Sequence, residues 1–193
     1  MAQSQGLQGV SDPCAQRGNR RERGATMIEF SLVMPILLLI MIGIMEMGLA
    51  FKDILTVSHA AREGSRVGAF AGDDTTADCQ IVQNIIAQLT GELDSIQDIE
   101  IYRADTDGDQ ILSQTNTWTY ASGDPTDCTN SWTHTDLWPS PTRQTVYGPS
   151  QELDIIGVRI KMTRSWITGF PPFRGNYTIN ETNIIRMEPE SFE

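Results

Sequence analysis

The strongest pattern along the chain is a block of apolar positions from Phe30 to Phe51, broken only by Ser31, Pro35, Gly43, Glu46 and Gly48. As a helix, these 22 residues rise about 33 Å, enough to cross a hydrocarbon core of about 30 Å. Helical spacing continues without proline through Lys52–Ala69. Ile54, Val57 and Ala61 fall on one face, and Ala60, Gly64 and Gly68 form an adjoining i, i+4, i+8 row. One helix over 28–68 would be about 61 Å long, with Pro35 expected to kink it by removing a backbone bond. Glycine costs about 1 kcal/mol in a helix interior relative to alanine. Two in one row therefore point to close packing, either on a partner helix or on the chain's own sheet.

Past Phe70 the pattern changes. A short helix is predicted from Cys79 to about Leu89, capped by Asp78, carrying Ile81, Ile85, Ile86 and Leu89 on its apolar face and ended by Gly91. "SIQDIEIYR", "TNTWTYA", "LDIIGVRIKMTRSW" and "YTINETNIIRME" read as strands. The Pro- and Thr-rich stretch 123–152 reads as a long exposed loop anchored at Cys128. The predicted class is α+β: a long N-terminal transmembrane helix continuing beyond the membrane, then a small domain with an antiparallel sheet, a short helix and one disulfide. The predicted divisions are 1–24, a basic leader; 25–71, the transmembrane and assembly helix; and 72–193, an acidic extracytoplasmic domain.

Charge sets the orientation. The whole sequence carries −11. Residues 1–24 hold Arg17, Arg20, Arg21 and Arg23 against Asp12 and Glu22, leaving 10 basic and 23 acidic residues beyond them. A domain this acidic argues against nucleic acid as a partner. Arginines just before the span place the N-terminus in the cytoplasm and the domain outside, although Lys52, Arg62 and Arg66 on the far side oppose that signal. Of the three cysteines, Cys14 lies in the leader, so Cys79 and Cys128 form one disulfide or remain two buried thiols. The bridge would imply an oxidising compartment. A secretory signal peptide ending at "GLA", Gly48–Ala50, is the rival reading of the N-terminus; the length of the apolar run and Glu46 count against it.

Glu29, at the mouth of the apolar block, is costly if it enters the bilayer and favourable if it stays near a helix N-terminus. A basic stretch, Gly24, then Ala25-Thr26-Met27-Ile28-Glu29-Phe30 resembles a type IV prepilin processing site. The run "RGATMIEFSLVMPILLLIMIGIMEMGLAF" followed by "VSHAAREGSRVGAFA", about 23–71, is similar to the TadE-like pseudopilins of the tight-adherence (Tad) pilus. Ser65 stands where alanine is common in that family. The resemblance implies cleavage between Gly24 and Ala25 by a prepilin peptidase. It implies assembly through Glu29 and Phe30, with other pilins and the membrane platform of the pilus machine as partners. It implies a cytoplasmic-membrane location, with incorporation in a pilus, and no catalysis. The row of Ala60, Gly64 and Gly68 is an expected assembly contact.

Other candidate chemistry is weaker. Asp105, Asp107 and Asp109 alternate as in a Ca²⁺ loop, but Gln110 and Asn116 stand where such a loop needs glycine and a bidentate glutamate. A hairpin turn through Asp107-Gly108 is the favoured reading, and no cofactor is expected. Trp118, Trp132, Trp138 and Trp166 serve as core or as a sugar platform. Hydrolase, zincin and Walker motifs are absent from the sequence. The competing function is a membrane-tethered binding module for Ca²⁺ or glycan that does not polymerise.

Overall fold

A computed structural model describes residues 15–89, 95–146, 148, 152–169, 171 and 173–188, with side chains from Gly24 onward. The predicted helix end at Gly91 and the leader residue Cys14 lie outside them. The chain divides into two compact units between Met45 and Glu46.

The first unit is the N-terminal part of α1, the helix Ala15–Ala71. Pro35 lies inside it without ending it. Ser31 uses its hydroxyl to bond the Ile28 carbonyl at 2.8 Å. Every residue from Gly24 to Met41 is exposed. An 18-residue window here has mean hydropathy 2.5, so the helix is long and apolar enough to span a membrane.

The second unit begins at Glu46. It contains the rest of α1, a short helix α2 (Ala77–Gln88) and five strands: β1 (Ile96–Ala104), β2 (Gln110–Tyr120), β3 (Trp132–His134), β4 (Ile155–Ser165) and β5 (Asn176–Arg186). The strands form one antiparallel sheet in the order β3-β2-β1-β4-β5. Alternation in β4 puts Ile156, Val158, Ile160 and Met162 on one face, where all are buried. Ile99 pairs with Ile160 and Ile101 with Val158, so their side chains share that face. The core also takes in Val57, Ala60, Ala61 and Ala69 of α1 and Ile81, Val82 and Ile85 of α2.

The other face is charged. Glu100 pairs with Lys161 and, at 3.1 Å, with Arg159. Arg159 also lies over the Tyr102 ring, 5.4 Å from its centroid. Tyr102 is buried despite being on this face because its β4 neighbour is Gly157. A Cβ at 157 would stand 2.3 Å from the ring. This explains why β1 is buried nearly throughout although its sequence alternates.

The expected disulfide joins Cys79 to Cys128, tying the first turn of α2 to the segment after β2. Helix α2 starts two residues before the predicted Cys79; Thr76 is its N-cap residue and Asp78 lies in its first turn. Asp78 instead pairs with the buried Arg143 and accepts a 2.7 Å bond from Asn116. Those bonds overturn the expectation of a plain exposed loop over 123–152. Within it, β3 joins the sheet, a 3-10 turn covers Ser140–Thr142, and Ser131, Trp132, Trp138, Ser140, Arg143 and Thr145 are buried. Asn116 clasps the Trp138 backbone through both its amide atoms, at 2.8 and 2.9 Å. Polar residues read as loop in the sequence are thus buried because each meets a specific partner.

Candidate functional site

The residues singled out by the sequence fall into two sets, one in each unit. Gly24, Ala25, Glu29 and Phe30 lie on the first part of α1 and are all exposed. Gly24 has open space where a side chain would be. Glu29 is five residues beyond Gly24, little more than one helical turn, about 7.5 Å of rise. Around and beyond it, the helix presents Met27, Ile28, Phe30, Leu32, Val33 and Ile36, each at least half exposed. Nothing among the described residues of this unit covers that surface. Apolar area is worth roughly 25 cal/mol per Å² when removed from water, so this surface is unfavourable while it stays in water.

The second set is covered. Ala60 is fully buried. A Cβ on Gly64 would stand 2.7 Å from Ile85, and one on Gly68 would stand 2.7 Å from Ile156 and 2.8 Å from Ile81. The small-residue row therefore receives the chain's own α2 and β4, one of the two kinds of packing that its pattern allows. The missing side chains let the apolar face of α2 approach the α1 backbone. Ile54, predicted beside this row, is 37% exposed. Arg62 and Arg66 are on the solvent face, where Arg66 and Glu63 form only a long 3.9 Å pair.

Two further residues of α1, Glu46 and Asp53, bind the rest of the domain through partners that no local sequence pattern names. Glu46 is 2% exposed, and its carboxylate accepts backbone N–H bonds from Ile167 at 3.3 Å and Thr168 at 2.5 Å. Seven residues on, about two helical turns, Asp53 accepts from Arg164 at 3.1 Å and from the Tyr177 hydroxyl at 2.9 Å. Burial, reinforced by the Asp53 carboxylate, pushes the Tyr177 hydroxyl up to about 12. The available signal was the i, i+7 placement of two acids on the face that also holds Ala50, Val57, Ala60 and Gly64. Their partners are more than a hundred residues away in the chain.

Asp105 to Asp109 form the β1–β2 hairpin. Asp105 and Gly108 close the turn through backbone bonds, and Gly108 adopts φ +92°. One Asp105 carboxylate oxygen already accepts the N–H groups of Asp107 and Asp109, at 3.0 and 2.8 Å. No group of three or more His, Cys, Asp or Glu side chains among the described residues is arranged to hold a metal ion. Trp118, Trp132 and Trp138 are core residues, stacked on His134, tilted against Tyr120 and lying under Arg143 respectively. Trp166 is half-buried and meets Phe173 and Tyr177 with ring centroids 5.0 and 4.6 Å away. A polar cleft of about 460 Å³ lies where β1 ends and β4 begins, lined by Arg103, Asp105, Gln144, Glu152 and Asp154. Its Arg103–Asp154 pair is closed at 2.7 Å.

Neither curated proteins nor solved structures yield a match to this chain. A family model, that of the TadE-like proteins, does match over residues 24–66, and so α1 from Gly24 to Arg66 is TadE-like.

Proposed function

We propose that this protein is a minor, pilin-like component of a Tad pilus assembly system, structural rather than catalytic. The observation that carries the reading is the coincidence of the TadE-like match with Gly24, Glu29 and an exposed apolar helix. The precursor inserts through the exposed apolar part of α1 that ends at Met45, with its arginines in the cytoplasm and its domain outside. A prepilin peptidase cuts between Gly24 and Ala25. The new Ala25 amine is then available to a neighbouring subunit, whose Glu29 it neutralises. An acid that is costly in the membrane alone thereby becomes a register mark between subunits. The large apolar side chains of the first unit make the lateral contacts. The row of Ala60, Gly64 and Gly68 instead keeps the domain fixed to its own helix.

The mature N-terminus, read by mass spectrometry from the native membrane, tests the reading. Ala25 is expected. Retained Met1 would favour a plain membrane tether, and an N-terminus at Phe51 would favour a secreted domain. A Gly24→Ala variant is expected to accumulate as precursor. Glu29→Ala is expected to be cut normally yet fail to enter the pilus; unchanged pilus formation would remove the role given to Glu29.

A further inference from the structure

We infer that the β4–β5 turn is a second membrane-contacting element, in which Trp166, Ile167, Phe173 and Tyr177 rest in the headgroup layer where α1 leaves the bilayer. This rests on the reading that α1 crosses a membrane. The turn's depth follows from Glu46. Its carboxylate holds the backbone N–H groups of Ile167 and Thr168, so the turn lies one hydrogen bond from residue 46. The exposed apolar stretch of the first unit, from Met27 to Met45, rises about 28 Å, so a hydrocarbon core of about 30 Å ends near residue 46. The turn therefore sits at the boundary between hydrocarbon and headgroups rather than out in water.

Its chemistry suits that boundary. Ile167 is 69% exposed although it is anchored in place. Trp166 is half-buried between Phe173 and Tyr177, and Arg174 beside them is exposed. Aromatic rings with one apolar and one polar end concentrate at membrane interfaces, and an adjacent arginine can meet lipid phosphate. The Tyr177 hydroxyl is already satisfied by Asp53 at 2.9 Å. The backbone groups that would otherwise be stranded near hydrocarbon are bonded to Glu46. Glu46 is thus a positioning residue for the turn, which explains an acid inside an apolar block.

The test uses the full chain in lipid vesicles, in a Cys14→Ser background so that the disulfide leaves no other free thiol. An environment-sensitive fluorophore is attached at Ile167→Cys and, separately, at Leu38→Cys in the span and at the exposed Leu112→Cys. Leu112 lies near the opposite end of the sheet, about 30 Å away along β4. At 167 the emission should shift to the blue and be lost mainly to lipids carrying a nitroxide on the headgroup. At 38 the loss should be greater with a mid-chain nitroxide, and at 112 neither lipid should quench. Glu46→Ala should reduce quenching at 167 while leaving 38 unchanged; unaltered quenching would overturn the positioning role. A probe at 167 that behaves like that at 112 overturns the inference while the span stands. A blue-shifted but unquenched probe overturns it too, since a protein surface such as a second copy then covers the turn. Failure of the chain to float with vesicles overturns the span and the inference together.

Discussion

The two parts of α1 share one helix and meet opposite surroundings. Between Gly24 and Met45, bulky side chains such as Met27, Leu32 and Ile44 are 76, 69 and 70% exposed. Between Glu46 and Ala71, small ones such as Ala60, Ala61 and Ser65 are buried to 1% or less. Hydropathy separates these parts, since Lys52, Asp53, Arg62, Glu63 and Arg66 enter only the second, but it does not say which face of each is covered. Side-chain size separates them well. Large flexible side chains suit a fluid or exchangeable environment, whereas glycine and alanine admit a fixed neighbour at close range. Polar anchors follow the same division: Glu46, Asp53 and Ser65 all face the domain, Ser65 receiving Asn183 at 2.5 Å.

This contrast can be broken in graded ways by urea unfolding of the full chain in nanodiscs, followed by tryptophan fluorescence. Replacing both Cys79 and Cys128 by serine should have the largest effect, since freeing a loop of about 50 residues costs roughly 4 kcal/mol. Protease should then reach 46–71 in the variant while membrane association through 24–45 persists. Gly68→Leu should destabilise the domain by about 2–3 kcal/mol through overpacking against Ile156 and Ile81. Ile36→Ala, on the exposed part, should leave domain unfolding unchanged. Equal effects from these two would abolish the distinction.

Glu46→Ala removes the acceptor of two backbone donors and should lower domain stability by less than Gly68→Leu does. Glu46→Gln retains one acceptor oxygen and should recover part of that loss. The smallest effect, about 1 kcal/mol, is expected for Tyr177→Phe. Tyr177's value is raised above the ordinary 10.0, to about 12. Its stabilisation is therefore complete below pH 10 and is lost as pH rises toward 12. Tyr102 is also raised, chiefly by burial. Tyr177→Phe should accordingly lessen the alkaline loss of stability without removing it.

Much of the architecture was legible because it repeats locally. Ile81, Ile85, Ile86 and Leu89 announce α2 through helical spacing, and Val158, Ile160 and Met162 announce β4 through alternation. The hairpin at Asp107-Gly108 was legible from turn chemistry. Strand β3 was missed because its three residues sit in a polar stretch and are held by pairing with β2. The burial of Arg143 was invisible because Asp78, its partner, is 65 residues away. The small row of α1 announced close packing but not its neighbour, since Gly64 and Gly68 admit a foreign helix as readily as α2.

Residue order alone established the apolar block, the glycine and acid ahead of it, the acidic domain and the strand pattern, all of which depend on spacing within a few residues. Tertiary structure decided which side chains share a boundary. It assigned the glycine row to α2 and β4, and it gave Glu46 the backbone of the β4–β5 turn and Asp53 the strand residues on either side of it. Those contacts join positions separated by up to 124 residues. No local period encodes such a separation; it arises when antiparallel β4 and β5 return along α1 and bring their turn back beside the helix.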